Sequence, residues 1–161
     1  MIHLLLLAAT LAEVNPYPTP ATAPTEALVR RAPVVFPAWP EAAVIENSGS
    51  TNLAGYRIAV RPDGSAAYTT AGGVEHGTVS RATTHWLFAK LEAAGPLPDL
   101  AVRSCMKSAS FGSTLTLEWR GARTPDLSCG GGPMAAELSR TAAAIVAQLH
   151  IRPGPRRVRP L

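Results

Sequence analysis

The sequence predicts an α+β fold: a two-layer sandwich in which an antiparallel sheet of about five strands packs against two helices, in the approximate order β-ββ-α-ββ-α. Three observations lead to it. Tyr56, Ile58 and Val60 alternate with Arg57, Ala59 and Arg61, the period-two pattern of a half-buried strand. Leu115, Leu117 and Trp119 alternate in the same way with Thr114, Thr116 and Glu118. Leu138, Ala142, Ile145 and Leu149 recur at the spacings that line one face of a helix.

The elements follow in chain order. Leu4 to Ala12 is a nine-residue apolar run closed by Glu13. That is the length of a signal-peptide core and far short of the ~20 residues that cross a bilayer, so the run predicts export and no transmembrane span. Small Thr10 and Ala12 suit cleavage after Ala12, although Met1, Ile2 and His3 lack the usual positive charge. Residues 1–12 are therefore read as a signal-peptide-like segment. Residues 13–42 are read as a linker, because seven prolines between Glu13 and Pro40 block helix and ladder hydrogen bonds and favour an extended spacer. Phe36 and Trp39 are read as linker aromatics, the alternative being that they fold back on the domain as an anchor.

Residues 43–150 form the expected domain. Ala43 to Ile45 predicts a short first strand. Pro62, Asp63 and Gly64 supply a turn after the Tyr56 strand, and Ala66 to Thr70 returns as its hairpin partner. Gly72, Gly73 and Gly77 read as a loose loop. Ser80 caps a helix running to about Ala94, with Leu87, Leu91 and Ala94 on one face and Gly95-Pro96 ending it. Val102 to Ser110 and Ser113 to Arg120 predict a second hairpin with Gly112 at its junction. Pro133 opens the second helix.

With 161 residues, 47% of them apolar and 16% charged, the chain has the material for one packed domain. Its net charge of +4 is local. Residues 151–161 form a basic Pro/Arg tail holding Arg152, Arg156, Arg157 and Arg159 without an acid, which leaves eleven bases and eleven acids in the rest. A nucleic-acid surface needs a basic face on the domain itself, so no nucleic-acid partner is expected.

Cys105 and Cys129 are the only cysteines, and an even number in an exported chain points to a disulfide. Closing a loop of about 25 residues is worth roughly 3.5 kcal/mol in the chain-entropy picture. No C-x-x-C motif occurs, and the four histidines do not give zinc-ligand spacing, so neither a metal nor a cofactor is expected. Ser104 with Lys107 and Ser50 with Asn52 match two elements of penicillin-recognising enzymes, but the third, K-T-G, is missing and the order is reversed.

Asn47, Ser48, Gly49, Ser50, Thr51 and Asn52 are six consecutive small polar residues between apolar runs. Exposed loops of this composition carry hydrogen-bonding groups outward, and Asn47, Ser48, Ser50, Thr51 and Asn52, with Ser110 and Ser113 of the second turn, are the candidate ligand-binding residues. No catalytic residue is assigned. The leading expectation is an exported, secreted or periplasmic, non-enzymatic binding or interaction module whose ligand is an envelope polymer or secreted protein. One alternative is a small serine hydrolase using Ser50 or Ser113 with His76. Another is a structural envelope protein.

The stretches Glu46 to Asn52 through Gly55-Tyr56, Pro62-Asp63-Gly64, Cys105 to Gly112 and Pro125 to Cys129 resemble those of a set of short exported bacterial proteins without an assigned activity. The resemblance spans about residues 44–130. It implies export and the cysteine pair, and carries over no catalytic residue.

Overall fold

The computed structural model describes residues 36–70, 73–108 and 110–155. The signal-like segment 1–12, most of the linker and the end of the tail lie outside them. The elements are β1 (Ala43–Asn47), β2 (Tyr56–Val60), β3 (Ser65–Thr70), β4 (Gly73–Thr78), α1 (Arg81–Ala93), β5 (Leu115–Trp119), β6 (Ala122–Arg123) and α2 (Pro133–Gln148), with short 3-10 turns at Leu97–Asp99 and Leu127–Cys129. The strands form one antiparallel sheet in the order β4-β3-β2-β1-β5-β6, and both helices belong to the other layer of an α+β sandwich.

The alternating patterns set the layers. Ile45, Ile58, Val60 and Leu117 of the sheet are fully buried against Leu87 and Leu91 of α1 and Leu138, Ala142 and Ile145 of α2. The Ser80 hydroxyl caps α1 by accepting from the Thr83 amide at 3.3 Å. Gln148 ties the end of α2 to this cap, accepting from the Ser80 amide and donating to Thr83 Oγ1, each at 2.8 Å. The Pro62-Asp63-Gly64 turn joins β2 to β3, with Asp63 Oδ1 accepting from the Ser65 amide at 2.9 Å.

The structure differs from the expectation in two elements. The Gly72–Gly77 stretch is not a loop: from Gly73 it is the edge strand β4, paired with β3 along six positions. Glycine is present at 77 because a Cβ there would stand 2.7 Å from Leu149 Cδ2 and 3.3 Å from Tyr68, so its absence admits Leu149 to the core. The second hairpin also does not form. Among the described residues of 102–110 a single bridge forms, Val102 with Gly131, and β1 instead takes β5 as its neighbour. Residues 103–106 are all exposed, so no side of this stretch packs against the sheet. β5 continues through a two-residue turn, Arg120-Gly121, into β6.

Packing also extends beyond residues 43–150. Phe36 to Ala42 lies over the sheet face opposite the helices, where Arg57 sits 5.4 Å from the Phe36 ring centre and Arg61 5.4 Å from that of Trp39. This cover explains why Ala59, on that outer face, is buried. Beyond α2, His150 adopts a left-handed conformation (φ 53°) that turns Ile151 back into the core. Gly154 O then accepts from the Ala54 amide at 3.0 Å. Among the described residues, no helix is long and apolar enough to cross a membrane.

Candidate functional site

The register of β1 places Asn47 opposite Tyr56 on one side and Leu115 on the other, so the loop after β1 emerges beside the turn before β5. The two polar loops therefore meet. Ser48 N donates to Thr114 O at 3.1 Å, Thr114 N donates to Ser48 Oγ at 2.9 Å, and Asn52 N reaches Ser110 O at 3.4 Å. Asn47 Nδ2 donates to Ser113 Oγ at 3.4 Å, and Asn47 Oδ1 accepts from the Gly49 amide at 2.8 Å. Asn47 also bonds the half-buried Tyr56 hydroxyl, whose pKa burial pushes up against the lowering effect of that bond. The loop crosses itself at Gly49 and Gly55, where a Cβ on either would fall within 2.5 Å of the other strand's backbone.

Several of the candidate polar groups serve this scaffold. Ser50 is buried, and its Oγ accepts from the amides of Asn52 and Leu53 at 3.3 and 3.1 Å. Ser48 Oγ is shared between Thr114 N and Gly49 O. Thr51, Asn52 and Ser110 are exposed, and Ser113 is half-buried.

A brace stands beneath the loops. The Cys105–Cys129 disulfide forms, with the Cα atoms 5.5 Å apart, and joins the irregular 101–114 segment to the turn at Leu127–Cys129. Lys107 Nζ forms an ion pair with Asp126 and donates to Ser113 O and Ser128 Oγ, both at 2.6 Å. These three contacts match the three donors of an ammonium group, so the side chain fastens the turn. Asp126 in turn accepts from the amides of Leu115 and Ser128 at 2.9 and 3.0 Å and from the Ser128 hydroxyl at 2.7 Å. Burial alone would raise the Asp126 carboxyl, but Lys107, these amides and the hydroxyl outweigh it and lower the pKa to about 2.

Sequence reasoning searched for polar groups and missed the apolar ones. The exposed large hydrophobic residues among those described are Leu53, Trp86, Met106 and Phe111, and three of these four lie in the two joined loops or next to the bracing Lys107 in the chain. Leu53 adjoins Asn52, which bonds Ser110 beside Phe111, while Met106 lies between Cys105 and the bracing Lys107. Phe111 is 68% exposed and Met106 fully so. The available signal was a lone aromatic between Ser110 and Gly112, where no periodic pattern assigns it to a core.

The proposed pairing of His76 with Ser50 or Ser113 is not made. His76 is on β4, three strand positions from β1 and four from β5, hence roughly 14 and 19 Å away laterally at ~4.8 Å per strand. No group of three His, Cys, Asp or Glu side chains suited to a metal occurs among the described residues.

Fold and site together define a small disulfide-braced α+β domain whose two hydrogen-bonded polar loops carry the exposed side chains of Leu53 and Phe111. No family model, curated protein or solved structure matches the chain.

Proposed function

We propose that this chain is an exported, non-enzymatic interaction module that docks a secreted or envelope protein through the corner formed by Leu53, Met106 and Phe111. The observation that carries the reading is that three of the four exposed large apolar side chains among the described residues lie in the two joined loops or next to their brace in the chain. Exposed apolar groups clustered inside a polar rim are the anatomy of a protein contact, in which a few apolar anchors supply most of the affinity. The Lys107–Asp126 pair neutralises itself beneath the loops, so the corner favours an uncharged pocket over a charged polymer. The disulfide and the apolar N-terminal run support export.

Site-specific photo-crosslinking in producing cells tests this, with the crosslinker placed at position 111, 106 or, as a control, 86. The expected result is one discrete protein adduct from positions 111 and 106 and none from 86. The purified partner then binds Phe111→Ala at least ~30-fold more weakly, as befits a central anchor. Equal adducts at all three positions, adducts only with a polymer, or active-site labelling by a fluorophosphonate would overturn the reading.

A further inference from the structure

On the sheet face opposite the helices, Phe36, Trp39, Val44, Arg57, Ala59 and Glu118 enclose a groove of about 270 Å3 that shares no residue with the corner. We infer that this groove binds a neutral saccharide ring. Its volume lies just under the ~300 to 1,000 Å3 of clefts for drug-sized ligands, which fits one small polyol ring and excludes a folded partner.

The charged residues that line it are Arg57, Glu118 and Arg120, and each is paired with a neighbour of opposite sign, Arg120 with Glu92 at 3.8 Å. Glu46 Oε2 accepts from Arg57 Nη1 at 3.4 Å and from Arg123 Nη2 at 3.0 Å, and Arg123 also reaches Glu118 at 3.3 Å. With Arg120 and Glu92 the network holds three cations and three anions, so its charges balance, and it sets donors and acceptors side by side at the groove. Hydroxyl groups, each a donor and an acceptor, match such a wall. Arg57 is also under-satisfied by the protein: its Nε is buried with no acceptor among the described residues, a rare state for a buried donor. Its guanidinium is held in place over the Phe36 ring. Trp39 supplies the apolar wall. Trp39 lines the groove and Arg61 does not, so the indole is available there for the C–H face of a sugar.

The test is titration of the full-length oxidised protein with glucose, N-acetylglucosamine and chitooligosaccharide, read by saturation-transfer NMR and tryptophan fluorescence. Saturation transfer to the ring protons of at least one of these at ~10 mM is expected. Arg57→Lys keeps the charge opposite Glu46 but loses the planar fork, and weakens binding by about tenfold or more. Trp39→Ala abolishes it, whereas Phe111→Ala leaves it unchanged, which separates this site from the docking corner. The inference is overturned by no transfer from any neutral sugar, by preferential binding of glucuronate or inorganic phosphate, by signals unaffected in Arg57→Lys, or by loss of binding in Phe111→Ala.

Discussion

Replacing Asp126 with asparagine isolates the charge that holds the corner together. In the folded protein the carboxylate receives the Lys107 ammonium, two backbone amides and the Ser128 hydroxyl, which lower its pKa from 3.8 to about 2. That difference corresponds to about 2.5 kcal/mol, and because the side chain is 27% exposed, solvent screening reduces the realised value to about 2 kcal/mol. The sign follows from the depressed value: the contribution is complete above the unfolded pKa, near 4, and is lost as the pH falls through about 2. At pH 7, Asp126→Asn with the disulfide intact should lower the urea midpoint by about 1 M, from a slope of about 2 kcal/mol per molar. The gap between the two proteins should narrow steadily between pH 4 and pH 2. An asparagine variant as stable as the parent at pH 7, or a gap undiminished at low pH, would refute the reasoning.

Removing the bridge with Cys105→Ser and Cys129→Ser together should cost about 3.5 kcal/mol in urea unfolding, from a sequence separation of 24, while far-UV circular dichroism keeps the sheet and helices. Ellman titration of the unreduced parent should find no free thiol, consistent with the bridge. Gly55→Ala should destabilise by more than ~2 kcal/mol, since its Cβ would lie 2.3 Å from Asn47 O; Gly95→Ala, with open space around it, should pay only backbone strain of about 1 kcal/mol. Thermal melts of the two variants make that comparison directly.

The sequence revealed most where a side-chain period met a buried face. Tyr56 to Val60, Leu115 to Trp119 and the α2 stripe each declare which side is apolar, and each formed with ends within two residues of expectation. Periodicity failed where backbone geometry rather than hydrophobicity decides. Gly73–Thr78 is a strand through its ladder with β3, and Gly77 within it makes room for Leu149 beside Tyr68, a contact some seventy residues distant that no local pattern encodes. The 102–110 stretch looked like a strand because it was expected to pair with the next one. In the fold, β1 already occupies that neighbour, and side chains replace the ladder: Lys107 bonds Ser113 O, and Cys105 bonds Cys129. The mutual hydrogen bonding of the two polar loops is not legible in the sequence, because it depends on the β1–β5 pairing.

That replacement of ladder by side-chain bonds bears on why Phe111 stays outside. A segment fastened only by apolar contacts would relax inward to cover its phenylalanine, but this one is pinned on both sides of the ring. Gly112 N donates to Ser108 O at 2.6 Å, Ser110 O accepts from Asn52, and Lys107 holds Ser113. A Cβ at Gly112 would meet Ser108 O at 2.5 Å, so the turn is as tight as the chain allows. At 68% exposure the ring gains only about a third of the 1.5 to 3 kcal/mol that full burial brings, so Phe111→Ala should cost less than ~1 kcal/mol. Leu117→Ala, at a fully buried position of the same sheet, should cost about 3 to 4 kcal/mol. Urea unfolding of both variants separates a residue kept for contact from one kept for packing. A Phe111→Ala penalty approaching that of Leu117→Ala would mean that the ring packs against the fold in solution, and the docking surface would lose its anchor.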